Sequence, residues 1–270
     1  MLKHRLIPSI ILNNGNVVQS VNFKHTNVIG NAITAVDFFN NWAVDEIIIL
    51  DVSRSNENRE KFHKIISGLS KRCFVPLCVG GWVQDTDEIN KLLTEGADKI
   101  CINTKAIQNP EFITDAANTF GSQCIVVSID VKRNSTNQYE VISNRGQTYT
   151  RKNPVEWAKR VEELGAGEIF LTSIDCDGKR DGYDLEIIKD VSENVSIPVI
   201  AFGGVGNWQH FVEGIQQGKA DAVSAANIFH YSEHSTFNAK QHMINSGLNV
   251  RIPKFYKIPT PRKPKYNEIY

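Results

Sequence analysis

The chain contains eight short runs rich in β-branched and apolar residues, and segments with helical periodicity separate these runs. Most of the runs lack polar alternation, which is typical of parallel strands covered on both faces. Eight strands alternating with eight helices favour a closed α/β fold, a (β/α)8 TIM barrel, over an open doubly wound sheet. The predicted strands are residues 5–11, 46–50, 75–79, 99–102, 124–130, 168–173, 197–202 and 221–226.

The helices between these strands carry start and stop signals. Asp85 lies three residues before a glutamate, which is the spacing of a capping box. Asn109 and Asn153 each precede a proline, a pair that commonly opens a helix, and Gly165 follows a predicted helix and would end it. The polar residues 132–153 interrupt the alternation and predict a β-hairpin inserted after the fifth strand.

The two halves of the sequence resemble each other. Residues 75–81 match residues 197–204 with one residue added, and residues 96–107 match residues 218–229, again with one added. Self-similarity at half length predicts a duplicated half-barrel, although shared composition among βα units is the alternative.

The same internal comparison sets residues 9–12 over residues 128–131. Ile11 then occupies the position that Asp130 occupies in the second half. If the two segments are equivalent strands, one ends on a carboxylate and the other on an apolar side chain.

Glycine pairs and small polar residues follow several predicted strands. Glycine lets backbone N–H groups approach an anion, and a following helix N-terminus adds a positive dipole. The duplication therefore predicts two phosphate sites at the C-terminal strand ends, although plain turns remain an alternative for each glycine pair. The candidates are Gly80, Gly81, Asn103 and Thr104 in the first site, and Asp177, Gly178, Gly203, Gly204, Ala226 and Asn227 in the second.

Two aromatic residues lie beside the glycine pairs. Trp82 follows Gly81, where the backbone should approach an anion, and Phe202 precedes Gly203. Each aromatic ring would either narrow the ligand pocket, offer a stacking surface, or simply pack under a loop.

Composition excludes several classes of function. The chain has 30 Lys and Arg against 30 Asp and Glu, so no electrostatic footprint for nucleic acid is present. The N-terminal apolar run is interrupted by proline and predicts neither a signal peptide nor a membrane span. Five cysteines, an odd number, favour reduced thiols and a cytoplasmic location. His230 and His234 are four apart but lack a third ligand, so we expect no metal and no cofactor.

The last residues differ from the rest of the chain. Residues 251–270 are rich in proline and basic residues, and the prolines exclude an ordinary helix. We therefore expect a barrel over residues 1–250 and an extended C-terminal arm over residues 251–270.

Nine segments before about Val250 share a specific resemblance: RLIP, NGNVV, VNF, DEIIILD, GADKICINT, FGSQ, GAGEIFLTSID, DGYD and IFH. Through these segments the chain resembles the cyclase subunit of imidazole glycerol phosphate synthase. The resemblance implies a duplicated barrel that binds a substrate with two phosphates at the C-terminal strand ends. It also implies that ammonia arrives from a glutaminase subunit docked at the opposite end.

The resemblance implies two catalytic aspartates, at the ends of strands one and five. Asp130 matches the second, whereas Ile11 stands in the place of the first. General acid–base groups are worth roughly 10²–10⁴ in rate, so we expect the usual cyclisation to be badly impaired. Other departures from the family pattern on the substrate side are Gln19 in place of a lysine, and Trp82, Phe202 and Asn227 in place of small residues.

The opposite end matches the family. Arg5, Glu46, Lys99 and Glu168 open strands one, two, four and six and correspond to the charged residues that surround the family's ammonia entrance. Asp98 corresponds to a residue at the glutaminase interface. Charged residues commonly flank strands, so the alternative is that these charges have no functional role.

A retained ammonia entrance with half a catalytic pair resembles the divergent paralogues associated with glycosyl amidation in surface-polysaccharide (O-antigen) biosynthesis. In that interpretation the chain passes ammonia from a glutaminase to an amidotransferase that converts an N-acetyl sugar, phosphorylated or nucleotide-linked, into an acetamidino sugar. A functional cyclase of histidine biosynthesis and a non-catalytic scaffold that activates a glutaminase are the two alternatives.

Overall fold

The computed structural model describes residues 3–41, 44–55, 57–230 and 235–254. The strands are β1 (Arg5–Asn13), β2 (Asn16–Val21), β3 (His25–Gly30), β4 (Ile47–Asp51), β5 (Leu77–Gly80), β6 (Lys99–Ile102), β7 (Ile125–Arg133), β8 (Tyr139–Ser143), β9 (Thr148–Tyr149), β10 (Glu168–Ser173), β11 (Val199–Phe202) and β12 (Ala222–Ala225). The helices are α1 (Ala32–Asn41), α2 (Arg59–Ser70), α3 (Thr86–Thr94), α4 (Thr104–Gln108), α5 (Glu111–Phe120), α6 (Pro154–Glu163), α7 (Leu185–Ser192), α8 (Trp208–Gln216) and α9 (Ser235–Asn245).

Eight parallel strands close into a barrel with the order β1, β4, β5, β6, β7, β10, β11 and β12, and β12 pairs with β1. The helices between the strands surround the barrel, which confirms the predicted (β/α)8 TIM barrel. We call the end at which the strands finish the catalytic face, and the end at which they begin the floor.

Two hairpins project from the catalytic face. The hairpin of β8 and β9 follows the fifth barrel strand, as predicted. The hairpin of β2 and β3 follows the first barrel strand and was not predicted from the sequence. The turn that leads from β1 into β2 does carry a sequence signal, because Asn14 and Gly15, between these two antiparallel strands, both adopt positive φ angles, 51° and 77°. An Asn-Gly pair between apolar runs is a strong indication of a tight hairpin turn.

Most of the predicted helix signals are confirmed. The side chains of Asp85 and Asn153 accept hydrogen bonds from backbone N–H groups in the first turns of α3 and α6. Gly165 has a φ of 98° just beyond α6. The prediction for Asn109 was wrong, because its backbone N–H bonds to the carbonyl oxygen of Lys105 and its side chain caps no helix. Asn109 therefore ends α4 and does not open α5.

The core has two separate parts. The larger part lies between the barrel and its helices, and a smaller apolar cluster fills the barrel interior. A filled interior is normal for this fold, so the barrel is no open pore. The buried residues of the interior are Ile7, Ile11, Val18, Ile48, Cys78, Cys101, Val126, Phe170, Ile200, Phe202 and Ala222.

Backbone hydrogen bonds repeat in the two halves of the barrel. Asp98 exchanges two hydrogen bonds with the backbone of Leu77, each 2.8 Å long, through its N–H group and a carboxylate oxygen. Asp221 makes the same two bonds with Val199, each 3.0 Å long. The duplication is therefore visible in the register of the strands as well as in the sequence.

One detail of the predicted internal match was wrong. The carbonyl oxygens of Pro76 and Pro198 accept hydrogen bonds of 2.9 Å from the N–H groups of Ile47 and Ile169. These two bonds make Pro76 the equivalent of Pro198 and align β5 with β11 without any added residue. The glycines that follow these strands are therefore shifted by one position relative to the sequence match.

The last part of the barrel is joined to the segment that precedes β1. The N–H group of His4 donates to the carbonyl oxygen of Asn249 at 2.9 Å. Residues 255–270 and His234 lie outside the described residues, so the extended arm stays a prediction. None of the described helices is both long enough and apolar enough to cross a membrane.

A buried ion pair offers a test of the floor's stability. Lys240 is fully buried on α9, and its Nζ lies 2.6 Å from Oδ1 of Asp45, whose other carboxylate oxygen accepts the N–H of Leu6 at 2.9 Å. We expect Lys240→Met to lower the free energy of unfolding by about 3–5 kcal/mol, because Asp45 is left buried without its cation. Urea denaturation measures this loss.

The matched control is Lys159→Met on α6. Lys159 is exposed and lies 3.8 Å from Glu156. Exposed pairs contribute about 0–1 kcal/mol, so this variant should unfold almost like the wild type. Equal losses in the two variants would contradict the importance of the buried pair.

Candidate functional site

Asp130 lies at the catalytic face on β7, and only 8% of its surface is exposed. Its carboxylate accepts hydrogen bonds from Nδ2 of Asn103 at 3.0 Å and from Oγ of Ser128 at 3.3 Å. Burial raises the pKa of Asp130 to about 7, although the hydrogen bonds from Ser128, Thr172 and Asn103 oppose this change, and the nearby carboxylate of Asp177 supports it. A carboxyl group with such a pKa can accept or donate a proton near neutral pH.

Ile11 occupies the equivalent position in the first half. Ile11 pairs with Leu50 on the neighbouring strand, as Asp130 pairs with Thr172. Its side chain is buried in the barrel interior in the same apolar cluster as Phe202. The register thus confirms the predicted equivalence and leaves the first half without a carboxylate at this point.

Asn103 and Thr104, predicted for the first phosphate site, lie where β6 passes into α4. The amide of Asn103 also donates to the carbonyl oxygen of Ser128 at 3.2 Å, and the hydroxyl of Thr104 donates to Oδ1 of Asn103 at 3.3 Å. The N–H group of Asn144, in the turn of the β8–β9 hairpin, donates to the Thr104 hydroxyl at 3.2 Å. The hairpin tip is therefore held over the end of β6, beside Asp130.

The segment after β5 contains Gly81 and Trp82. Gly81 has a φ of 106°, and a side chain there would collide with the backbone oxygen of Asp51. Trp82 also has a positive φ, 58°, and its indole N–H donates to the carbonyl oxygen of Ser53 at 3.0 Å. The guanidinium carbon of Arg145 lies 4.4 Å from the centre of a Trp82 ring. This site is therefore built partly from side chains.

The second predicted site follows β11. The ungapped alignment makes Gly203, with a φ of 101°, the equivalent of Gly81, and Gly204, with a φ of 97°, the equivalent of Trp82. A side chain at Gly204 would collide with the carbonyl oxygen of Gly182. The second half therefore keeps a bare backbone where the first half has an indole ring.

Phe202 belongs to the barrel interior. Its ring centre lies 5.0 Å from that of Phe170, and the side chain is buried. Of the three interpretations of this aromatic, packing is the one that its position supports. Ala226 and Asn227 follow β12, and Asn227 opens a short 3-10 helix.

Asp177 and Gly178 hold the first hairpin in place. The buried carboxylate of Asp177 accepts hydrogen bonds from the Ser20 hydroxyl at 2.7 Å and from the N–H of Phe23 at 3.2 Å. Burial raises its pKa, and these hydrogen bonds oppose the change. A side chain at Gly178 would come within 2.6 Å of the carbonyl oxygen of Ser20. The loop after β10 thus joins the β2–β3 hairpin to the rim.

Four charged side chains meet at the floor, and we call Arg5, Glu46, Lys99 and Glu168 the floor ring. Arg5 lies 2.7 Å from Glu46 and 3.1 Å from Glu168. Lys99 lies 3.0 Å from Glu46 and 2.9 Å from Glu168. Each cation bridges both anions, so the four residues that the resemblance singled out form one closed network.

The floor ring is largely desolvated. Glu46 is only 1% exposed, and burial raises its pKa while Lys99 and Arg5 oppose the change. Its Oε1 has no hydrogen-bond partner within the part of the chain that the structure describes. Burial lowers the pKa of each cation, but the two glutamates outweigh it and raise both values above the ordinary ones. The cations therefore remain charged.

Asp98, predicted at the partner interface, precedes Lys99 in the chain and is exposed. Its hydrogen bonds to Leu77 also give it a structural role that the sequence did not reveal.

A polar network beside the catalytic face was missed by sequence analysis. Arg59 on α2 hydrogen-bonds to Glu88 and lies 3.6 Å from Asp51. His63 lies 3.3 Å from Glu88 and 2.7 Å from Glu95. Glu88, whose spacing suggested a capping box, is therefore turned toward α2. Isolated charges on helices are too common in sequences to reveal such a network.

The chain is similar in sequence to proteins of one known family. The model of the family described as "Histidine biosynthesis protein" matches residues 5–235. A protein of Vibrio vulnificus (strain YJ016) named "Putative imidazole glycerol phosphate synthase subunit hisF2" is 51% identical over 252 residues, which cover 93% of this chain and 92% of that protein.

The raised pKa of Asp130 predicts a pH-dependent stability. Because the pKa rises from 3.8 to about 7 on folding, the folded protein binds more protons than the unfolded chain between these values, and stability falls as the pH rises through this range. Asp130→Asn removes this loss. We therefore compare the free energy of unfolding of Asp130→Asn with that of the wild type. We expect this difference to increase in favour of the variant by about 2–3 kcal/mol from pH 5 to pH 8.

Asp115→Asn on α5 provides the control, because it makes the same chemical change at an exposed carboxylate. Urea denaturation of the three proteins at both pH values is the measurement. A gain of the same size in the control would show that the effect is not specific to Asp130.

Proposed function

The chain belongs to the histidine biosynthesis protein family, and on this premise we propose that it is the ammonia-receiving subunit of a glutamine-dependent amidotransferase system. A glutaminase subunit docks at the floor. Ammonia leaves the barrel at the catalytic face, where an amidotransferase converts a phosphorylated or nucleotide-linked N-acetyl sugar into an acetamidino sugar. We place this reaction in the cytoplasm, in the synthesis of lipopolysaccharide or another surface glycan.

The contrast between the two ends of the barrel carries this proposal. At the floor, all four charged residues are present and joined in one network. At the catalytic face, Ile11 leaves Asp130 as a single carboxylate where a cyclase needs two. An intact entrance without the second carboxylate of a cyclase fits a subunit whose ammonia is used for a different product.

The floor ring suits the control of ammonia entry. Neutral ammonia can cross an apolar interior, whereas ammonium is opposed by the cost of desolvating a charge. The ring closes the floor by mutual ion pairs, and Oε1 of Glu46, which has no hydrogen-bond partner among the described residues, is available for a new contact when a partner docks. The exposed carboxylate of Asp98, next to Lys99, offers that partner a contact at the same end.

The catalytic face suits proton transfer. Replacing the carbonyl oxygen of an acetamido group by nitrogen requires ammonia to add to the carbonyl carbon and water to leave. Both steps move protons, and Asp130 has the pKa that such a group needs at neutral pH. Gly203, Gly204, Gly178, Ala226 and Asn227 are proposed to hold a phosphate of the substrate in the second half.

A cyclase of histidine biosynthesis is the second candidate. The name of the Vibrio relative, which describes an imidazole glycerol phosphate synthase subunit, favours it. Ile11 argues against it, because an apolar side chain can neither donate nor accept a proton. A scaffold that only activates a glutaminase is the third candidate, and it differs in needing neither Asp130 nor a route through the barrel.

We expect the purified chain to form little or no imidazole glycerol phosphate from the family's substrate and ammonium salt. Ile11→Asp alone should not restore a family-like rate, because Trp82 still replaces a bare backbone in the first phosphate site. Product formation under single-turnover conditions is the measurement. A robust rate in the wild type would favour the cyclase, and full rescue by Ile11→Asp would mean that Trp82 does not obstruct the site.

Delivery of ammonia is tested by Lys99→Ala in a reconstituted system with the glutaminase and the amidotransferase. Without Lys99, Glu46 and Glu168 each lose one of their two bridging cations. The network of ion pairs that closes the floor is then incomplete. We expect nitrogen-15 incorporation from amide-labelled glutamine to fall at least tenfold, while incorporation from labelled ammonium salt survives.

Two matched variants make this result specific. Lys71→Ala removes an exposed cation from the end of α2 at the same end of the barrel without touching the floor ring, and it should affect neither nitrogen source. Asp130→Asn should lower incorporation from both sources, which would exclude a scaffold. Equal losses with both nitrogen sources in Lys99→Ala would indicate destabilisation. No loss with either source would mean that the floor ring has no role in ammonia delivery.

A further inference from the structure

We infer that Arg145, stacked on Trp82, is a side-chain binding site for a phosphoryl group at the end of β5. The substrate class follows from the proposed function, but the site itself stands on geometry. Arg145 was not singled out by the sequence, because a single arginine in a polar hairpin carries no recognisable pattern.

The hairpin of β8 and β9 brings Arg145 to this position. Asn144, Arg145 and Gly146 have φ angles of 50°, 53° and 80°, which form a tight turn at the hairpin tip. The N–H of Asn144 is fixed on the hydroxyl of Thr104, at the end of β6. The hairpin begins after β7, crosses the end of β6, and places its arginine over Trp82, two residues beyond the end of β5.

The guanidinium group of Arg145 is available to an anion. It is half-buried, its carbon lies over the indole at 4.4 Å from a ring centre, and within the described ranges it makes neither a hydrogen bond nor an ion pair. Burial lowers its pKa, while Asp51 raises it and Arg54 lowers it further. A partly desolvated cation without a paired carboxylate is costly, and a bound anion would offset that cost.

Stacking leaves the edge of the guanidinium for recognition. An arginine that lies flat on an aromatic ring can still present its N–H groups in the plane of the fork, which matches two oxygens of a phosphoryl group. The stack also restricts the side chain before a ligand binds, so less conformational entropy is lost on binding.

The two halves of the barrel explain why a side chain is needed here. In the second half, Gly204 leaves a bare backbone that an anion can approach. In the first half Trp82 occupies the equivalent position, in a left-handed conformation that is unfavourable for a large residue. Its indole N–H is fixed on Ser53. Arg145 thus supplies, in the first half, the contacts to a phosphoryl group that the backbone supplies in the second half.

The test uses the isolated full chain with inorganic phosphate and pyrophosphate as probes. Binding is followed by tryptophan fluorescence and by isothermal titration calorimetry. We expect a fluorescence change on binding that is lost in Trp82→Phe, which would attribute the signal to this site. We expect Arg145→Ala to weaken the binding reported by this signal at least tenfold, and Arg145→Lys to weaken it less, because charge is kept and the fork is lost.

Arg151→Ala is the matched control. Arg151 is exposed on the same insertion and has a φ of 59°, so alanine meets the same backbone conformation there as at Arg145. This variant should bind phosphate like the wild type. Unchanged binding in Arg145→Ala, or a fluorescence change that persists in Trp82→Phe, would overturn the proposal, as would the absence of any change in the wild type.

The measurement involves neither a glutaminase nor a sugar. Failure of the amidation assay with intact phosphate binding would therefore count against the proposed function alone. If Arg145→Ala does not fold, phosphate binding by Arg145→Lys is compared with that by Arg151→Lys. Both changes keep the charge at equivalent backbone conformations, so weaker binding in Arg145→Lys alone supports the proposal, and equal binding overturns it.

Discussion

The pairing of β1 with both β4 and β12 is the constraint on which the rest of the structure depends. Because all eight strands run parallel, closure sends every strand end to one rim and every strand start to the other. Asp130 and the two hairpins share the first rim, and the floor ring forms at the second. Residues far apart in sequence, such as Lys99 and Glu168, meet only because the sheet closes.

The sequence predicted most of the fold because buried parallel strands are continuous apolar runs, and the ends of the eight strands were placed to within about three residues. What it missed depends on tertiary contacts. The shift of one residue between the two halves is decided by backbone hydrogen bonds at Pro76 and Pro198, and the position of Arg145 by a hydrogen bond to Thr104. Neither leaves a pattern in local periodicity. Asn14 and Gly15 did leave one, so the turn from β1 into β2 was predictable.

The two rims use charge in opposite ways. At the floor, opposite charges satisfy one another, so a nearly buried glutamate such as Glu46 remains compatible with the fold. At the catalytic face, Asp130 has amide and hydroxyl donors and no cation beside it among its hydrogen-bond partners, so burial dominates its pKa. The same barrel thus keeps charges fixed at one end and leaves a proton exchangeable at the other.

The pairing of β1 with β12, which closes the barrel, has a consequence for the newly made chain. Ser9 and Ser224 meet there through a hydrogen bond of 2.7 Å between buried hydroxyl groups, across 215 residues of sequence. During synthesis, β1 therefore has an uncovered edge until nearly the whole protein has left the ribosome. Such an edge can pair with other chains, and contacts so distant form slowly. The first strand of this protein therefore stays exposed to such pairing until the last strand has been made.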